Sequence, residues 1–186
     1  MKTIVVGGDS WNKGFDDLSR TDDGGWVKQL SPMWYNPINL AVSGSTAKQW
    51  ADDFEGRLST IEVMECDAVV MSLGGNDLLH AIADGMLTTS EIVTMLTSIN
   101  TVLTRIKCFK KRLIVILYAN PKADRQDMAI GVKLLNAMIR QMAPADTEFI
   151  DCSTFLTSED FYLLGGIHPN TKGYAKIAAE VERILA

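Results

Sequence analysis

Five short apolar runs, separated by longer stretches of helical spacing, constrain this 186-residue chain more than any other feature. The runs are Thr3–Val6, Ile38–Val42, Ala68–Leu73, Leu113–Tyr118 and Glu148–Ile150. They are rich in Val and Ile and do not alternate with polar residues, the pattern of strands covered on both faces. Between them apolar positions recur every three or four residues. Ala47, Trp50, Phe54, Leu58 and Ile61 mark one such face. Ile92, Met95, Leu96, Ile99, Leu103 and Ile106 mark another, with Thr88 and Glu91 as a capping box in front. Met128, Val132, Leu135, Ile139 and Met142 mark a third, and Tyr174, Ile177, Ala178, Val181, Ile184 and Leu185 the last. Alternating strands and helices imply a parallel sheet with helices on both sides. The expected fold is therefore one three-layer α/β/α domain over residues 1–186, with five parallel strands. The polar segment from Asp16 to Gly25 reads as a loop before a short helix at Trp26–Leu30.

Composition removes several functional classes. The net charge of −5 argues against a nucleic-acid or anionic-membrane partner. The basic run Lys107-Cys108-Phe109-Lys110-Lys111-Arg112 reads as a solvated helix end, where the helix dipole favours cations. Cys66, Cys108 and Cys152 are odd in number and form no C-x-x-C pair, against a disulfide framework or structural zinc. Each is expected to act as a small buried hydrophobe. The first apolar run is shorter than the roughly 7–15 residues of a signal peptide, and no window approaches the roughly 18 of a membrane span. The expectation is a cytoplasmic protein. Oligomeric state has no sequence signature.

In open parallel sheets ligands sit beyond the carboxyl ends of the strands, so the residues after each run matter most. Gly8-Asp9-Ser10-Trp11 follows the first, Ser43-Gly44-Ser45 the second and Gly74-Gly75-Asn76-Asp77 the third. After the fifth comes a loop ending in Gly166-Ile167-His168-Pro169-Asn170. These four segments would share one rim, and together they meet the needs of acyl transfer. A serine hydroxyl is a poor nucleophile until a base takes its proton; Ser10 is the candidate nucleophile and His168 the candidate base. Asn170 or Thr171 would cap the helix that follows His168. The oxyanion of a tetrahedral intermediate needs preorganised donors. The backbone N–H groups of Ser10 and Gly44 and the side-chain amide of Asn76 are of the right type. Asp9 is expected to brace its turn, Asp77 to cap a following segment, and His80, Asp52 and Asp53 to sit on helix faces. Trp34 and Tyr35 are read as either pocket or core.

The chain resembles the SGNH (GDSL-type) hydrolase family. That family's four name-giving residues match Ser10, Gly44, Asn76 and His168. The surrounding blocks match in order: Gly8-Asp9-Ser10, then Asn39-Leu40-Ala41 leading to Gly44, Gly74-x-Asn76-Asp77, and His168-Pro169-Asn170 with Gly173-Tyr174. The resemblance implies a flavodoxin-like fold and hydrolysis of a small-molecule or acylated ester or thioester substrate, with no cofactor and no metal.

Two positions depart from the family pattern. Trp11 stands where leucine is common, and its indole is expected to shape the acyl or alcohol pocket. More seriously, Gly165 stands three residues before His168, where the family usually carries an aspartate. Three arrangements remain open. His168 and Ser10 act as a dyad, with a backbone carbonyl accepting the Nδ1 proton; another carboxylate substitutes, Glu159 and Asp160 being nearest in sequence; or the site is weakened or inactive and binds ligand without useful turnover.

Overall fold

A computed structural model describes residues 1–83, 88–120, 126–162 and 166–186. Its main sheet has five parallel strands. In chain order the strands are β1 (Lys2–Gly8), a small antiparallel hairpin of β2 (Phe15–Asp16) and β3 (Thr21–Asp22), then β4 (Tyr35–Asn39), β5 (Ala68–Ser72), β6 (Leu113–Leu117) and β7 (Glu148–Asp151). The main sheet runs β4-β1-β5-β6-β7, the flavodoxin-like order in which the chain first winds outward and then reverses across β1.

Parallel neighbours require crossovers, and helices supply them. They are α1 (Ser10–Lys13), α2 (Ala47–Ala51), α3 (Arg57–Val63), α4 (Gly75–Ala83), α5 (Thr89–Cys108), α6 (Gln126–Met142) and α7 (Thr171–Leu185). Helices α2, α3, α4, α5 and α6 pack together on one face, while α7 packs with the short 3₁₀ turn Val27–Gln29 on the other. The central strands β5 and β6 are buried at every position, which is why their sequences are unbroken apolar runs. The capping box at Thr88 and Glu91 opens α5, and the Asn170 side chain accepts from Gly173 N–H to open α7.

The outer strand differs from its sequence reading. β4 covers 35–39 rather than 38–42, and it contains Pro37. Its position at the sheet edge permits a proline, because no outer neighbour requires the missing N–H. Leu40, Ala41 and Val42 have already left the strand, but Leu40 N–H and Val42 N–H still bond to the Val6 and Gly8 carbonyls at 2.7 and 2.9 Å. The face Ala47–Ile61 is not one helix: a turn carrying left-handed Asp53, Glu55 and Gly56 divides α2 from α3. The expected loop from Asp16 contains instead the β2–β3 hairpin. Cys152 is buried and Cys66 half-buried, but Cys108 is exposed at the end of α5; all three are free. Among the described residues no helix is long and apolar enough to cross a membrane.

Candidate active site

The site forms where β1 and β5, adjacent in the sheet, release their chains. Gly8 ends β1 with φ at +111°, and a side chain there would collide with the backbone of Ser72 on β5. That close approach turns the chain sharply, and Asp9 fixes the turn as the N-cap of α1, accepting from Trp11 N–H at 3.1 Å. Ser10 is the first residue of α1, so its N–H has no carbonyl one turn earlier. Asn12, fully buried, fastens α1 from below: its amide donates to the Gly7 carbonyl at 2.7 Å and accepts from Trp26 Nε1 at 3.2 Å.

Asp9 is buried beneath the nucleophile turn. Its carboxylate accepts from Ser72 Oγ at 2.8 Å and from the Tyr118 hydroxyl. Burial pushes the Asp9 carboxyl above its ordinary range, although Tyr118, Ser72 and Trp11 oppose the shift. Burial, then the neighbouring Asp9 charge, holds Tyr118 well above the usual phenol value. The turn thus rests on a buried carboxyl that is hydrogen-bonded on several sides.

Asn76 lies in the first turn of α4, and its amide donates to the Ser45 carbonyl at 3.0 Å. One amide hydrogen is thereby spent and the other remains for a ligand. Ser45 in turn donates to the Gly8 carbonyl at 3.1 Å and accepts from Trp50 Nε1 at 3.0 Å, tying its loop to β1 and α2. Asp77 accepts from Ala47 N–H at 2.9 Å, so it caps α2 across the site rather than its own helix. Gly44 stands exposed on that loop with φ at +81° and open space around it. The structure brings Ser10, Asn76 and His168 into one pocket; Gly44 belongs to the adjoining loop and is not part of that lining.

His168 and Ser10 are both nearly buried, and Nε2 lies 2.7 Å from Ser10 Oγ. On the other side of the ring, Nδ1 lies 2.7 Å from Asp17 Oδ1, and the His168 backbone N–H donates to Asp17 Oδ2 at 3.1 Å. Both carboxylate oxygens are thus engaged by one residue. Phe15 lies against the imidazole with ring centroids 5.0 Å apart. Asp17 sits on the β2–β3 hairpin, which other contacts hold in position. The Tyr162 hydroxyl donates to Asp16 Oδ2 at 2.8 Å, Tyr174 to the Phe15 carbonyl at 3.1 Å, and Ser43 Oγ to Asp22.

Of the three arrangements drawn from the sequence, this contact is of the second kind, a substitute carboxylate, but it comes from Asp17 and not from Glu159 or Asp160. A backbone carbonyl is not what meets Nδ1. Asp160 is committed elsewhere, to Lys176 Nζ at 2.6 Å and Thr157 N–H at 2.8 Å, and Glu159 faces Lys172 at 3.3 Å. Gly165 itself lies outside the described residues. Its neighbour Gly166 explains how Asp17 gains access, since a Cβ at 166 would fall on Asp17 Oδ2. The available sequence signals were a carboxylate seven residues after the nucleophile and two glycines before the histidine. His80 is exposed, Trp34 is 64% exposed and Tyr35 is buried in β4; none of them lines the Ser10 pocket. Among the described residues no cluster of His, Cys, Asp or Glu could hold a metal ion.

The sequence pattern of the GDSL-like lipase/acylhydrolase family matches residues 6–176. The chain belongs to that family. Solved structures of similar fold include a lipase from a goat rumen metagenome, with TM-score 0.76 and 15% identity over 98% of this chain and 97% of that one. An α/β hydrolase from the metagenome of Lake Arreo, Spain, is similar with TM-score 0.74 and 18% identity, covering 98% and 94%. An acetylxylan esterase from Geobacillus stearothermophilus is similar with TM-score 0.72 and 17% identity, covering 98% and 93%. No curated protein matches the chain. At these identities the structural neighbours report the shared fold, a five-stranded α/β/α sheet. Family membership adds that this GDSL-like chain is a hydrolase.

Proposed function

We propose that this GDSL-like protein is a serine-dependent carboxylic ester hydrolase whose site is complete, with Asp17 in the role the family usually gives to the position of Gly165. The observation that carries the reading is the continuous contact Ser10 Oγ to His168 Nε2 to Asp17, 2.7 Å at each step. With the Nδ1 proton donated to Asp17, Nε2 is left as an acceptor for the Ser10 hydroxyl proton. Ser10 Oγ attacks the acyl carbonyl as that proton passes to Nε2, and the carbonyl electrons move to oxygen. Ser10 N–H, Gly44 N–H and the second amide hydrogen of Asn76 stabilise the oxyanion; each such donor is worth about 10²–10³ in rate. Collapse breaks the bond to the alcohol oxygen, which leaves with the proton from Nε2. Water then donates a proton to Nε2, attacks the acyl-enzyme, and the acid departs as Ser10 regains its proton. The Asp17 contact supports this reading over that of a ligand-binding domain without turnover.

The test is hydrolysis of p-nitrophenyl acetate by the native chain and by Ser10→Ala, with fluorophosphonate labelling alongside. Ser10-dependent turnover and stoichiometric labelling are expected. Equal rates in the two proteins, with no labelling of Ser10, would overturn the assignment.

A further inference from the structure

The shape of the pocket goes further and bears on the substrate; the inference rests on the hydrolytic reading above. The space beside Ser10 is about 40 Å³. At about 10–15 Å³ per water-sized position, it has room for roughly three such groups. Trp11, Leu78, Tyr118, Met128 and Phe161, all buried, are among the residues that line it. Trp11 meets the Tyr118 ring edge-on at 5.2 Å and leans on Phe161 at 5.9 Å. Its backbone is fastened to Asp9, and the Tyr118 hydroxyl is also committed to Asp9. A wall so held is costly to displace, because interiors at close-packed density resist added methylenes.

The two halves of an ester have different needs. The acyl part stays bonded to Ser10 through the second half-reaction, whereas the alcohol must leave and water must enter. A recess ending in buried side chains suits the part that stays. Outside that recess, Gly44 on the neighbouring loop is exposed, and so is Leu18, next in sequence to Asp17. We propose that Trp11, with Tyr118 and Phe161, closes an acyl recess that selects esters of short apolar acids, about two to four carbons long, and leaves the alcohol outside.

The experiment measures kcat/KM for p-nitrophenyl esters from acetyl to octanoyl, and for acetyl esters of alcohols of increasing size. The full native chain is compared with Trp11→Leu and Leu78→Ala. In the native protein each added methylene should raise kcat/KM about four-fold while room remains. The value should peak by butyryl and fall at least about ten-fold by octanoyl, with little dependence on the alcohol. Either variant should move the cut-off to longer acids, and Leu78→Ala reads the same wall if Trp11→Leu does not fold. Ser10-dependent turnover with a flat or rising acyl profile, or with selection in the alcohol series alone, overturns the acyl recess but not the hydrolase. Absence of Ser10-dependent turnover on every ester overturns both.

Discussion

Asp17 engages His168 with both oxygens of one carboxylate, Oδ1 toward the ring Nδ1 at 2.7 Å and Oδ2 toward the backbone N–H at 3.1 Å. A single contact would let the imidazole pivot about it. Two contacts to the same residue fix the ring plane relative to its own main chain, and a carboxylate facing Nδ1 favours the tautomer that carries the proton there. Nε2 is then aimed at Ser10. Both side chains of the pair are largely screened from water, with 8% and 18% of their surfaces exposed, so the charge acts through a low-dielectric path.

Asp17→Asn preserves volume but presents an amide that favours the wrong tautomer. A loss of about 10⁴ in kcat is expected, roughly 5.5 kcal/mol of barrier. KM should change little, because the interaction matters chiefly in the transition state. Asp17→Ala should be similarly slow, and fluorophosphonate labelling of Ser10 should slow in parallel. Full activity in both variants would remove Asp17 from the mechanism.

Gly166→Ala should lower kcat, because the new methyl would fall on the Asp17 carboxylate and also press on Tyr162 Cβ. The closer of the two contacts is the one to Asp17. A double-mutant cycle with Asp17→Ala is therefore expected to be strongly non-additive, the second substitution costing almost nothing after the first. Additive losses would mean that Gly166 serves some other purpose.

Introducing the family's usual acid, Gly165→Asp, should leave kcat unchanged or lower it. Nδ1 of His168 has room for one carboxylate partner, and Asp17 already lies 2.7 Å from it. In the Asp17→Ala background the same substitution has a vacancy to fill, and partial recovery of kcat is expected there. A gain in the native background would indicate that the Asp17 contact is not the operative one.

Stability should fall on the acid side, and Asp160 reports it. Burial pushes its carboxyl up, but bonds from Lys176 and Thr157 outweigh burial and hold it below the ordinary carboxylate value. A group depressed in the folded state contributes stability above its unfolded pKa, near 4, which is lost as pH falls through the folded value. Asp160→Asn should cost about 1–2 kcal/mol at pH 7, discounted from a fully buried pair because Lys176 is partly solvated. That corresponds to roughly 2–8 °C in Tm. The gap between variant and native should narrow below about pH 4; thermal melts across this range that keep a constant gap would contradict the account.

The legible parts of this molecule are those whose signal is local. β5 and β6 are buried on both faces, and a run such as Leu113-Ile-Val-Ile-Leu117 has no other comfortable environment. β4 was displaced by three residues in the reading because an edge strand tolerates Tyr35, Asn36 and Pro37, while the apolar Leu40 and Ala41 lie beyond it. Ser10, Asn76 and His168 converge because each follows a strand at the same rim. Asp17 was not legible: it lies among Asp16, Asp22 and Asp23, in a segment with no periodicity. Only its partner, 151 positions later, distinguishes it. Long-range pairing of this kind leaves no trace in spacing.

Seven positions separate Ser10 from Asp17, and Gly44 and Asn76 follow before residue 77. On the proposed assignment the amino-terminal part of the chain carries nucleophile, acid and oxyanion donors, and the remainder supplies the base. A chain divided at the Phe109–Lys111 turn and reassembled from its fragments should regain hydrolysis in one step, when the second fragment delivers its histidine. Exchange of the carboxyl-terminal part among relatives would need to keep, with that ring, Tyr118 under Asp9 and Tyr162 and Tyr174 against the hairpin. Heredity could then reshape one half of the molecule without touching the half that holds the charge.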